Sequence, residues 1–103
     1  MISMENICFQ IISNVGTAKS LIMEALYAAK EKNFELAEEK LEESKKFFLE
    51  GHKAHSQLIQ KEASGDHVNF SILLMHAEDQ MMSTEVMSDL VKEMIDMYKK
   101  IDG

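Results

Sequence analysis

No proline occurs anywhere in the 103 residues, and the glycines are confined to Gly16, Gly51, Gly65 and Gly103. With so few breakers a helix has little reason to stop once it has started, so the chain is predicted to fold into long helices. The apolar periodicity agrees. Ile7, Ile11, Val15, Ala18, Ile22, Ala25 and Ala29 recur three and four residues apart and trace one stripe on a helix over residues 5–30. Phe34, Ala37, Leu41, Ser44, Phe48, Gly51, His55 and Leu58 form a heptad-like seam on a second helix over 34–62. Between them "KEKNF" breaks the first pattern, and Asn33 is suited to cap the second helix.

A second break, "EASGDHVNF", carries turn chemistry at Ser64, Gly65 and Asp66, with Asp66 or Asn69 expected to cap a third helix over 70–101. That helix bears two apolar stripes. One runs through Ile72, Met75, Asp79, Met82, Val86, Leu90, Met94, Met97 and Ile101, the other through Leu73, His76, Gln80, Met87, Val91 and Tyr98. Together they are too wide for a helix that touches a single partner. The expectation is one all-α domain over residues 1–103, an antiparallel three-helix bundle whose surplus apolar stripe, taken as the second, packs against further copies of the chain.

Composition narrows the function classes. A net charge of −7 with scattered Lys and Arg argues against nucleic acid, whose binding depends on clustered cations. No apolar run approaches the roughly 20 residues that span a bilayer, so direct membrane insertion is not expected. The start "MISMENICFQ" has no basic segment leading into a long apolar one, and the cytoplasm is the expected compartment. Cys8 is the only cysteine, which excludes an internal disulfide, and its apolar neighbours suggest a core residue. The spacing in "HKAH" lacks a third ligand for zinc.

The chemistry concentrates in "LLMHAEDQMM", residues 73–82. Asp79 shares a stripe with Ile72, Met75, Met82 and Val86. A carboxylate buried there needs a proton, a basic partner or a cation, and no Lys or Arg lies between Lys61 and Lys92. Copies of this helix around an axis would bring several carboxylates together, to be relieved by a hard cation or a shared proton. Alternatively, Asp79 lies at the edge of the stripe and reaches water. His76, three residues earlier, could accept and pass on a phosphoryl group, with Gln80 one turn on as hydrogen-bonding support; a satisfied structural histidine is the plainer alternative. His52, His55 and His67 have no carboxylate nearby on an apolar stripe and are expected to be structural.

"LLMHAEDQMM" and the downstream "VKEMIDMYKK" resemble the third helix of the enzyme IIA component of the lactose/cellobiose class of the bacterial sugar phosphotransferase system. The family motif is close to His-Ala-Gln-Asp-His-Leu-Met. "IISNVGTAKSLIMEALYAAKEKNFELAEEKLEES" is similar to that family's first helix, turn and second-helix start. The resemblance implies a homotrimer of three-helix subunits. It makes His76 the phosphoacceptor, charged by the histidine-containing phosphocarrier protein and discharged to a cysteine of the cognate enzyme IIB. It assigns Asp79 to a divalent metal, expected to be Mg, held by three Asp79 side chains on the trimer axis. The sequence departs from the motif twice: Glu78 stands in place of Gln and is expected to point outward, and Gln80 stands in place of a second His. Met81, Met82 and Met87 are candidates for an apolar docking rim. Three other readings stand beside this one: a two-component histidine phosphotransfer module, which typically carries a lysine and a glycine after its histidine; a structural trimeric adaptor without phosphoryl transfer; and a helical metal-binding protein, which would need more ligands than one Asp per chain.

Overall fold

The computed structural model describes residues 3–102, which form three helices: α1 (Met4–Lys30), α2 (Phe34–Ala63) and α3 (Ile72–Asp102). They lie side by side in a rod of 54 × 21 × 18 Å. The expected antiparallel bundle is present, with helix limits within two residues of those read from the periodicity.

Local chemistry explains the boundaries. Ser3 caps α1, its Oγ accepting from the Asn6 N–H at 3.2 Å, and Asn33 caps α2 by accepting from the Leu36 N–H at the same distance. Both α1 and α2 end in Schellman-type turns. After α1, the Lys32 N–H donates to the Ala29 carbonyl (3.0 Å) and the Asn33 N–H to the Ala28 carbonyl (2.9 Å). After α2, the Gly65 N–H donates to the Glu62 carbonyl and the Asp66 N–H to the Lys61 carbonyl, both at 3.1 Å. Each turn needs one residue at positive φ. Gly65 adopts 96° without a Cβ penalty, whereas Lys32 adopts 63° and bears it. The cap of α3 is neither Asp66 nor Asn69. Ser71 Oγ accepts from the Leu74 N–H at 3.0 Å, and the helix begins later than the apolar pattern suggests because Ser71 is the polar residue in register with it.

α1 is the central element. It packs along the length of both α2 and α3, while α2 and α3 barely touch each other. Ile7, Cys8, Ile11 and Val15 of α1 join Ala54, Leu58, Ala77 and Met81 in one apolar cluster; Ile22, Ala25, Ala28 and Ala29 join Ala37, Leu41, Val91 and Ile95 in another. At the midpoint Gly51 lets α2 approach α1 so closely that a Cβ there would lie 2.6 Å from Val15 Cγ2. No helix among the described residues is long and apolar enough to cross a membrane.

The third helix corrects the stripe assignment. Its buried line is Ala77, Met81, Thr84, Val91 and Ile95, of which only Val91 belongs to an expected stripe. The stripe bare of contacts is the first, from Ile72 to Ile101, not the second. Leu73, Met87 and Tyr98 of the second are half-buried against the bundle.

Two substitutions test these joints. Lys32→Gly relieves the left-handed strain and should raise stability by about 1 kcal/mol, read as an upward shift of the thermal midpoint. Gly51→Ala gains roughly 1 kcal/mol of helix propensity but forces Val15 aside, and should be net destabilising by about 1–2 kcal/mol in chemical denaturation.

Candidate functional site

His76 lies in the second turn of α3, just after the Ser71 cap, at the end of the rod where α1 begins and α2 ends. Helical geometry sends its neighbours in different directions. Ala77 faces α1 and is fully buried, fixing that side of the helix as the core side. His76 is turned about 100° away from it, Asp79 points almost directly opposite, and Gln80 returns to the flank of His76. The burial pattern follows: His76 and Asp79 are exposed and Gln80 is half-buried. The Leu73 side chain, half-buried on the same flank, supplies an apolar floor one turn before His76.

Asp79 is set in a line of large apolar side chains that this chain leaves uncovered. Ile72 (76% exposed), Met75, Met82 (65%), Val86, Leu90, Met94, Met97 and Ile101 share the face. Single exposed apolar residues are common on proteins, but a continuous line down a 31-residue helix marks a surface meant to be covered. Within one chain the Asp79 carboxylate is exposed to water, like the apolar side chains of the line that it shares. No group of three or more metal-capable side chains occurs among the described residues.

Glu78 overturns two expectations. It does not simply point outward. It turns toward α2, where the His55 Nε2–H donates to its Oε1 at 2.7 Å. His55 therefore has a carboxylate partner after all, 23 residues away in sequence and across a helix interface, where periodicity along one helix cannot find it. The available signal was Glu78 itself, an acidic residue where the resembling motif carries an amide. Its charge also reaches the core. Burial, and then the nearby Glu78 carboxylate, push the Cys8 thiol above its usual range. Cys8 is fully buried, as expected of a core residue. Met81 is also a core residue, only 5% exposed, so it cannot belong to a docking rim; Met82 is exposed and Met87 half-buried.

The sequence and fold match known proteins over nearly the whole chain. Residues 6–99 match the family model described as the phosphotransferase-system lactose/cellobiose-specific IIA subunit. The chain belongs to that family. It is 44% identical over 95 residues to the oligo-beta-mannoside-specific EIIA component of Bacillus subtilis, covering 92% of this chain and 86% of that one. The crystal structure of the cellobiose-specific enzyme IIA from Bacillus anthracis superposes with a TM-score of 0.93 at 39% identity, covering 99% and 94% of the two chains. A third relative, the chitobiose IIA protein solved in complex with HPr, superposes with a TM-score of 0.86 at 26% identity over the full length of both. As an EIIA component, the chain is a phosphotransferase of the phosphocarrier kind, acting in sugar uptake.

The burial of Cys8 makes a separable prediction. A protonated thiol in a closed core reacts only when the bundle opens, so alkylation by iodoacetamide at neutral pH should be about a thousandfold or more slower than in denaturant. Mass spectrometry against time would measure it, and rapid native labelling would contradict the packing of α1.

Proposed function

We propose that His76 is the phosphoacceptor of this carrier, that it receives the phosphoryl group from the histidine-containing phosphocarrier protein and that it delivers it to a cysteine of a cognate enzyme IIB for a β-glycoside. The observation that supports this most is the exposed imidazole on a rigid helix face, in the segment that resembles the family's histidine motif, with Gln80 on the same flank. A donor already holding a phosphohistidine needs no nucleotide apparatus. The lone pair of the neutral His76 ring attacks phosphorus in line; the new P–N bond forms as the donor's P–N bond breaks, and the donor imidazole leaves neutral after a proton returns to it. In the second step a cysteine thiolate attacks, the P–N bond to His76 breaks and its ring is regenerated. Little covalent assistance is required, so the chain's task is to present the ring and donate to phosphoryl oxygens, a role open to the Gln80 amide.

The assembly we propose is a homotrimer built on the bare face of α3. Three copies of the line from Ile72 to Ile101 would cover one another and converge their Asp79 carboxylates. Among the described residues one chain gathers no three metal-capable side chains, whereas three Asp79 carboxylates would give a hard oxygen donor set that suits Mg²⁺. The ion would supply positive charge to offset their repulsion. In this arrangement His76, some 60° round the helix from Asp79, borders the seam between subunits, where a partner can reach it. The exposed Phe70, which lies outside that line, provides an apolar contact at that end of the rod. We place these steps in the cytoplasm.

Incubation with phosphoenolpyruvate, enzyme I and the phosphocarrier protein should add one acid-labile phosphoryl mass per chain, absent in His76→Ala; no mass gain in a folded oligomer with an active donor would sink the carrier assignment and leave the structural adaptor. For the assembly, light scattering should give three times the chain mass. EDTA should lower the thermal midpoint of the wild type but not that of Asp79→Asn.

A further inference from the structure

α3 is held unequally by its two neighbours. Its core line rests on α1 throughout, whereas the side-chain hydrogen bonds that join it to α2 among the described residues are His55–Glu78 at the His76 end and Lys99–Glu38 at the other, each 2.7 Å long. Roughly 30 Å of helix separates the two ties. Between them α2 and α3 part around a cavity of about 450 Å³ that Phe48, Leu49, His52, Glu85 and Asp89 line. In that stretch no side-chain hydrogen bond joins α3 to α2 among the described residues.

We propose that the His55–Glu78 pair is a positioning element for phosphoryl transfer, fixing the rotation of the first turns of α3 so that the His76 ring meets its partners in line. The inference rests on the reading of His76 as phosphoacceptor. Glu78 follows His76 by two residues, so their side chains leave the helix about 200° apart and do not touch. The same rigid turn carries both, and any rotation that parts Glu78 from His55 swings the imidazole of His76 through the same angle.

The other restraints at this end are apolar and lack direction. Leu73, Leu74, Ala77 and Met81 pack into the same cluster as Ile7, Cys8 and Ile11 of α1, contacts that hold the helix against α1 without a hydrogen bond to set its rotation. The preceding segment from Asp66 to Ser71 has no helix or strand of its own, and Ser71 caps the helix without attaching it to the bundle. The pair, by contrast, is built to hold. An ionised carboxylate only accepts, so the proton of the bond sits on His55 Nε2 and the ring is fixed in one orientation. The His55 side chain is only 15% exposed and that of Glu78 41%, so water competes with the bond from one side alone. The reach of the Glu78 charge to the buried Cys8 is a second sign that solvent does not fully screen it.

The test is a quenched-flow measurement of phosphoryl transfer from the phosphorylated carrier protein to the wild type, His55→Ala, Glu78→Ala, the double variant, Glu78→Gln and, as a control, Lys99→Ala, which breaks the far tie. Each pair variant should transfer about tenfold more slowly with donor KM unchanged, since misaiming the ring spoils geometry rather than docking. The double variant should be no slower than either single one. Glu78→Gln, whose amide oxygen can still accept from His55 Nε2–H, should recover most of the rate. Lys99→Ala should transfer at the wild-type rate even if its thermal midpoint falls as far, which separates positioning from stability. Wild-type rates in His55→Ala and Glu78→Ala, or losses that multiply in the double variant, would overturn the proposal alone. A wild type that takes up no phosphoryl group would overturn it together with the carrier reading.

Discussion

Everything in this fold follows from α1 taking the middle. Its alanines at positions 18, 25, 28 and 29 and its isoleucines at 7, 11 and 22 are buried on a surface broad enough to seat two helices. Once both α2 and α3 lean on α1, they have little area left for each other, and the apolar area that α3 carries beyond one contact has nowhere to go inside the chain. A two-sided α1 therefore produces a one-sided α3, with its far face bare. At the commonly used value of about 25 cal/mol per Å², large apolar side chains left in water forfeit on the order of a kilocalorie each, and a second body that covers them recovers it. The bare face of α3 is thus a consequence of how α1 is composed.

The helices were legible because a proline-free chain with two polar breaks offers few alternatives. The stripe of α1 was legible for another reason: its buried face is made of Ile, Val and Ala at unbroken spacing, so periodicity and burial coincide. On α3 they do not. Its apolar residues surround most of the helix, and the line against α1 mixes the small Ala77 and Thr84 with Met81, Val91 and Ile95, so it does not stand out from its apolar surroundings. Periodicity weights large residues, and here many of the large ones are left outside. The N-cap at Ser71 was missed for a related reason, since Asp66 and Asn69 are equally good caps by residue type and only the register of the first buried residue distinguishes them.

The site divides along the same line. His76, Asp79 and Gln80 could be singled out from one helix because their relation to each other is set by i+3 and i+4 geometry. The partner of Glu78 is on another helix, and no pattern within α3 points to it. What the sequence contained was an anomaly, a charge where the resembling motif has an amide. A carboxylate turned toward α2 gains from a donor there, and His55, one helix away, is the donor that this bundle brings to it.

That exchange bears on how a motif tolerates change. Replacing an amide by a carboxylate at 78 adds a negative charge to an already acidic chain, close to a site expected to receive a phosphoryl dianion. Left free, the carboxylate would repel that dianion. Bound to the Nε2–H of His55, its charge is drawn toward α2, on the opposite flank of the helix from His76. The loss of the usual second histidine at 80 acts in the same direction, removing a group that could have turned cationic beside the phosphoryl oxygens. The electrostatic help available on α3 itself is then limited to the neutral Gln80 amide. With so little charge stabilisation within reach, a transfer at His76 would rest on how accurately the ring is aimed, and the His55–Glu78 bond adds a direction that the apolar contacts of Leu73, Ala77 and Met81 lack.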